Sequence, residues 1–216
     1  SRGLVDGYKR QCHACADVDS ILGEDLTTWA SQGHYNLELQ PVITVNMDYL
    51  KPATGASLVV AQKAPDKWIE FHHALLAYFR TQFQSGNGTV VRNMDASWKQ
   101  IKQIASEVGV PEDVIATFPV NAVGSYLKNS SAAWSGATYE GRDPQKLGTP
   151  EFVKDHASVV PLGSTLEETR ESFKQLFAID ETSTPTTSIL TEPGATPPAQ
   201  SGAEESQSGE TTTGSD

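Results

Sequence analysis

The sequence predicts an α/β domain interrupted by a block of helices, and three observations carry that expectation. The 216 residues are enough for one well-buried domain with an appendage. Patterning near the start reads strand, helix, strand, and near residue 179 it reads strand, strand, helix. Between them lie about a hundred residues of helical pattern, with no Pro/Gly-rich linker to isolate them as a separate domain.

Each element has its own signal. Residues 3–9, GLVDGYK, are a short strand candidate that runs straight into the cysteine pair. Val18, Ile21, Leu22, Leu26 and Trp29 then fall at helical spacing, and Gly33 is placed to end that helix. Residues 36–47, NLELQPVITVNM, read as extended, with Pro41 marking a bulge or an edge. Trp68, Phe71, Leu75, Tyr78 and Phe79 form one helical face; Trp98, Ile101, Ile104, Ala105 and Val108 form another, with Asp95 a cap candidate and Gly109 a stop. A weaker helix carries Gly124. Short strands at PEFVK and ASVVP flank a turn near Asp155 and His156, and Ser164 with Glu167 gives a capping-box signature for a final helix.

The formal charge of −11 is uneven: residues 180–216 hold seven of the 27 acidic side chains and none of the 16 Lys and Arg. That stretch is rich in Thr, Ser, Pro and Gly and is expected to be a flexible tail. No basic stripe points to nucleic acid as a partner. The longest apolar runs, such as residues 58–61, are too short to span a bilayer. A chain that starts at Ser1 reads as a processed or a trimmed form, with any leader or anchor already gone.

Both cysteines lie in QCHAC, as Cys12 and Cys15. A structural zinc site needs four ligands, and His13, His34, His72, His73 and His156 supply no second pair at a usual spacing, so no metal is expected. A bridge closing so short a loop would constrain the unfolded chain little. A redox pair fits better. Cys12 is expected at a strand-to-helix junction, where free N–H groups and the positive end of the helix dipole favour a thiolate. His13 beside it would add to that stabilisation when protonated. Cys12 is then the attacking thiol and Cys15, one turn on, the resolving one. His72 and His73 on the FHHALL helix raise a metal or acid–base reading against that of a packed, hydrogen-bonded pair.

At these residues the sequence resembles the DsbA-like thiol–disulfide oxidoreductases. LVDGYKRQCHAC is similar to their first strand and redox motif, DKWIEFHHALLAYF to a helical segment of the inserted domain, and LGTPEFV, residues 147–153, to the loop whose proline is cis. The resemblance implies a thioredoxin-like α/β fold with an α-helical insertion. Residues 1–54 and 147–179 would form the thioredoxin-like part, residues 55–146 the insertion, and 180–216 the tail. It implies that Thr149 and Pro150 line the site and bind substrate. It also implies that Asp6, on the strand before the motif, accepts the proton of Cys15. His13-Ala14 departs from the Pro-His or Pro-Ala common between the family's cysteines. The function so implied is disulfide exchange outside the cytoplasm, in a secreted or envelope-anchored protein. Its partners would be exported proteins with free thiols and a membrane-bound or soluble protein that re-oxidises the pair. No cofactor is needed beyond the disulfide itself. A reductase or isomerase, or a non-catalytic binding domain, are the alternatives.

Overall fold

The first element is one long helix, α1, Arg2–Ser31. The computed structural model describes residues 2–44, 47–119 and 123–180, of which 2–13 are described as backbone only. Along α1, Val18, Leu22, Leu26 and Trp29 bury one stripe, as a four-residue recurrence on a 3.6-residue turn dictates. Gly33 ends the helix with φ 85°. The N–H groups of Gly33 and His34 turn back onto the carbonyls of Ala30 and Trp29 at 3.0 and 3.1 Å, closing a Schellman motif.

The expected strand at residues 3–9 is therefore helical. Leu4 and Tyr8 are also four apart, so this short apolar run carried both periods. The second expected strand is not formed either: its described residues, 36–44 and 47, lie outside any strand. Their polar groups turn instead to a helix further along, α6, Gly124–Gly136. There Ser130 Oγ donates to the Pro41 carbonyl at 2.6 Å, and Ile43 N–H donates to Ser131 Oγ at 2.7 Å. These two bonds anchor the segment to α6 where the expected strand would have paired with a neighbour.

The remaining helices are α2, Leu50–Lys63, α3, Pro65–Gln84, α4, Met94–Glu107, and the single turn α5, Glu112–Ile115. The boundary expected between residues 54 and 55 falls inside α2. Pro65 opens α3, where its missing N–H costs nothing. Asn93, not Asp95, caps α4: its side chain accepts from Ala96 N–H at 2.9 Å. Val60, Phe71, Leu75, Ile101, Ile104 and Ala105 fill the core between these helices.

Strands β1, Phe152–Lys154, and β2, Ser158–Val160, pair antiparallel, with Phe152 opposite Val160 and Lys154 opposite Ser158. Asp155 and His156 make the turn with φ 53° and 54°. A parallel bridge joins Glu140 to Ser158. The last helix, α7, Leu166–Leu176, starts from a capping box made by Thr165 and Glu168, one residue beyond the expected Ser164 and Glu167. A second core gathers Val18, Leu22, Leu26 and Trp29 of α1 with Val160, Phe173 and Ile179.

Among the described residues the fold is thus a set of helices with one two-stranded hairpin. The expected thioredoxin-like α/β class is overturned, because the described residues form only a two-stranded sheet and no central sheet for helices to cover. The described residues fall within one compact unit. Of the expected tail, 181–216 lie outside the described residues. No described helix is long and apolar enough to cross a membrane.

Candidate active site around Cys15

Two segments far apart in sequence meet at Cys15. The first is α1, which carries Cys15 a third of a turn before the buried Ala16 and leaves its thiol partly buried. The second is the loop before β1. There the Thr149–Pro150 peptide bond is cis, and the Thr149 hydroxyl stands near enough to the Cys15 sulfur to favour its thiolate. Thr149 Oγ1 also lies 3.4 Å from Thr44 Oγ1, so the loop and the segment after α1 share one polar contact.

The loop is held from behind. Arg142 grips Glu151, the residue after Pro150, through Nε–Oε1 and Nη2–Oε2 contacts of 2.9 Å each. Its Nη1 donates to the carbonyls of Trp134 and Ala137 at 2.6 and 2.8 Å, at the end of α6. Trp134 Nε1 donates to Glu151 Oε2 at 2.6 Å, and the guanidinium lies 5.2 Å from the ring centroids of both Trp134 and Tyr139. Paired charge, ring contact and helix capping together give the loop a rigid base.

Burial pushes the Cys15 thiol to a higher pKa. The nearby Thr149 hydroxyl opposes this, and the negative charge of Asp19 adds to it. Asp19 sits one turn beyond Cys15 on α1, and its Oδ1 is 2.8 Å from Nδ1 of His73 on α3. That hydrogen bond is the main reason His73 is held more basic than an ordinary histidine, against partial burial, with further help from the charges of Asp19 and Glu24. His72, its neighbour, is shifted the other way: burial lowers its pKa, Asp19 partly offsets this, and His73 lowers it further. An open groove of about 480 Å³ between α1 and α3 is walled by Asp19, Glu24, Thr27, Ile69, Glu70 and His73.

The expected site is only partly assembled. Thr149 comes near Cys15, with Pro150 following it across the cis bond. The side chains of Asp6, Cys12 and His13 lie outside the described residues, but their backbone belongs to α1. Cys12 is ten residues past the helix start at Arg2, and the dipole's effect fades within the first turn. The strand-to-helix junction expected at Cys12 is therefore not formed there. Asp6 is nine residues from Cys15 on the same helix, which places it half a rotation away on the opposite face.

The sequence signal that would have found Asp19 is its four-residue step from Cys15, the same-face spacing of a helix. His73 needed the packing of α3 on α1. Among the described residues no group of three or more His, Cys, Asp or Glu gathers as metal ligands. His156 lies at the exposed hairpin turn, 3.4 Å from Glu38, and His34 is exposed just beyond α1. Comparison with family models, curated proteins and solved structures finds no match.

Proposed function

We propose that the protein is a thiol–disulfide oxidoreductase that exchanges through Cys12 and Cys15, as its motif resemblance to the DsbA-like enzymes implies. The observation that carries the reading is the contact between Cys15 and Thr149, the residue before the cis-proline. A threonine hydroxyl on one sulfur of a CxxC pair gives a leaving thiolate a donor, and the adjoining loop offers a client chain an edge to lie against. Residues three apart on an α-helix have Cα atoms about 5 Å apart, inside the range that a disulfide bridges.

In the oxidising direction a client thiolate attacks the Cys12 sulfur and the Cys12–Cys15 bond breaks. Cys15 leaves as a thiolate and takes up a proton. A second client thiolate then attacks the client sulfur of the mixed disulfide and releases Cys12. Two electrons pass from the client to the pair, and a partner disulfide protein re-oxidises it. Such chemistry belongs to an exported protein acting on exported clients outside the cytoplasm, where disulfides persist.

A second reading, a reductase or isomerase using the same residues, gains from two observations. Cys12 lies far from the α1 N-terminus, and Cys15 is a weaker acid than a free thiol. Less stable thiolates make a more stable, less oxidising disulfide. The redox potential of the pair separates the two: a value near −270 mV, as in thioredoxin, selects the reductase, and one near −120 mV, as in DsbA, the oxidase. Insulin reduction and peptide oxidation by Cys12→Ser test both together. Activity equal to that of the unaltered protein removes any redox role and leaves the binding domain.

A further inference from the structure

We propose that Asn87 is a self-modifying site, whose side-chain amide closes onto the backbone nitrogen of Gly88 and ends as a carboxylate, with Thr89 and Arg92 assisting the closure. The inference is independent of the exchange chemistry at Cys12 and Cys15. Asn87 is exposed, in the connection between the end of α3 at Gln84 and a single 3-10 turn at Val90–Arg92.

Three features meet there. Of the six asparagines in the chain, only Asn87 is followed by glycine. Ring closure brings the nitrogen of the next residue onto the side-chain carbon Cγ, and glycine puts no Cβ in its way. Secondly, the Thr89 hydroxyl donates to Asn87 Oδ1 at 2.6 Å. A donor on that oxygen draws electrons from Cγ and stabilises the oxyanion that forms as the nitrogen adds to it. Thirdly, the Arg92 guanidinium lies against Gly88: a Cβ built there would stand 3.6 Å from Nε, 3.7 Å from Cζ and 3.9 Å from Nη2. Its positive charge is thus beside the residue whose N–H must give up a proton.

Two other described asparagines are held differently. Asn93 accepts from Ala96 N–H at 2.9 Å as the cap of α4, and Asn129 lies within α6. Inside a helix the following N–H is committed to the backbone ladder and kept from the side chain.

Water is the only other reactant. The Gly88 N–H proton leaves, a bond forms from that nitrogen to Asn87 Cγ, and the Cγ–Nδ2 bond breaks, releasing ammonia. Water then opens the cyclic imide. Attack at Cγ gives an aspartyl residue with the original backbone; attack at the backbone carbonyl carbon gives an isoaspartyl residue, with the chain running through the former side chain. Nothing is oxidised or reduced, and either product adds one negative charge.

The test incubates the full chain in neutral buffer and follows the amide-to-acid mass change at each asparagine by peptide mapping. Chromatography separates aspartyl from isoaspartyl peptides. Asn87 should convert first, ahead of Asn36, Asn93 and Asn129. Thr89→Ala should slow its conversion about two- to tenfold, the effect of one ordinary hydrogen bond acting on a barrier. Arg92→Gln should slow it as well. Gly88→Ala should slow it by at least as much as Thr89→Ala. That methyl group would meet Arg92 only at ordinary contact distances, and φ at Gly88 lies outside the left-handed region, so the variant keeps the fold. In urea, where the fold is lost, the unaltered chain and Thr89→Ala should convert at equal rates. An Asn87 amide that persists while other asparagines convert overturns the proposal. So does a folded-state rate indifferent to Thr89→Ala and Arg92→Gln, since the Asn-Gly sequence alone would then set it. The exchange activity of Cys12 and Cys15 has no bearing on either result.

Discussion

Arg142 and Glu151 face each other fork to fork, with the side chains only 4% and 12% exposed and two nitrogen–oxygen contacts of 2.9 Å. Glu151 directly follows the Thr149–Pro150 bond, and Arg142 also caps the end of α6. The pair therefore ties the loop that touches Cys15 to a helix built from a different stretch of chain. A buried ion pair of this kind contributes little net stability compared with apolar residues, yet breaking it strands a charge.

Arg142→Ala should consequently destabilise the protein by about 3–5 kcal/mol, the range for a buried charge left without its partner. Urea denaturation followed by circular dichroism measures this. A loss below about 1 kcal/mol would mean that Glu151 finds water or another donor at once.

Gly23→Ala tests the close approach of α1 and α3. Alanine favours a helix over glycine by up to about 1 kcal/mol. Here, however, the methyl group would meet the Asp19 carboxylate and the His73 ring at under 3 Å. Overpacking costs about 1–3 kcal/mol, so a net loss is expected. The His73 ring should also titrate nearer the ordinary histidine value, as read from its imidazole NMR shifts against pH.

The two adjacent histidines should shift stability in opposite directions. His73 is raised when folded, so its contribution is full below the unfolded value near 6.5 and is lost as pH rises through the folded pKa. His72 is lowered when folded, so its contribution is full above that unfolded value and is lost as pH falls through the folded pKa. Denaturation midpoints across pH 5–8 should show both limbs. Asp19→Asn should flatten the alkaline limb, and an unchanged profile in that variant would exclude the Asp19–His73 bond as its source.

The segment after α1 should loosen when its serine anchors are removed. Ser130 and Ser131 hold Pro41 and Ile43 by hydrogen bonds of 2.6 and 2.7 Å. Replacing both by alanine should cost about 1–3 kcal/mol. Limited proteolysis should then cut within residues 36–44 earlier than in the unaltered chain.

Several features were legible because they rest on local rules. The apolar spacing of Phe71, Leu75 and Phe79, and of Ile101, Ile104 and Ala105, marked α3 and α4, and those residues are buried. The hairpin at 152–160 and its turn at Asp155 and His156 were visible in β-branched residues broken by polar ones. Residues 3–9 were not legible, since Leu4 and Tyr8 suit a helix as well as Leu4, Asp6 and Tyr8 suit a strand.

By itself, the order of residues determined which stretches are amphipathic, where the chain turns, and that the two cysteines stand three residues apart. Only tertiary structure decided whether extended segments would find strand partners, and residues 36–44 found two serines of α6 instead. It likewise decided what surrounds Cys15, bringing Thr149 from the loop and, through Asp19, His73 from α3. The physical reason is range: periodicity and capping act over a few residues, whereas a thiol's acidity depends on burial and on charges delivered from distant parts of the chain.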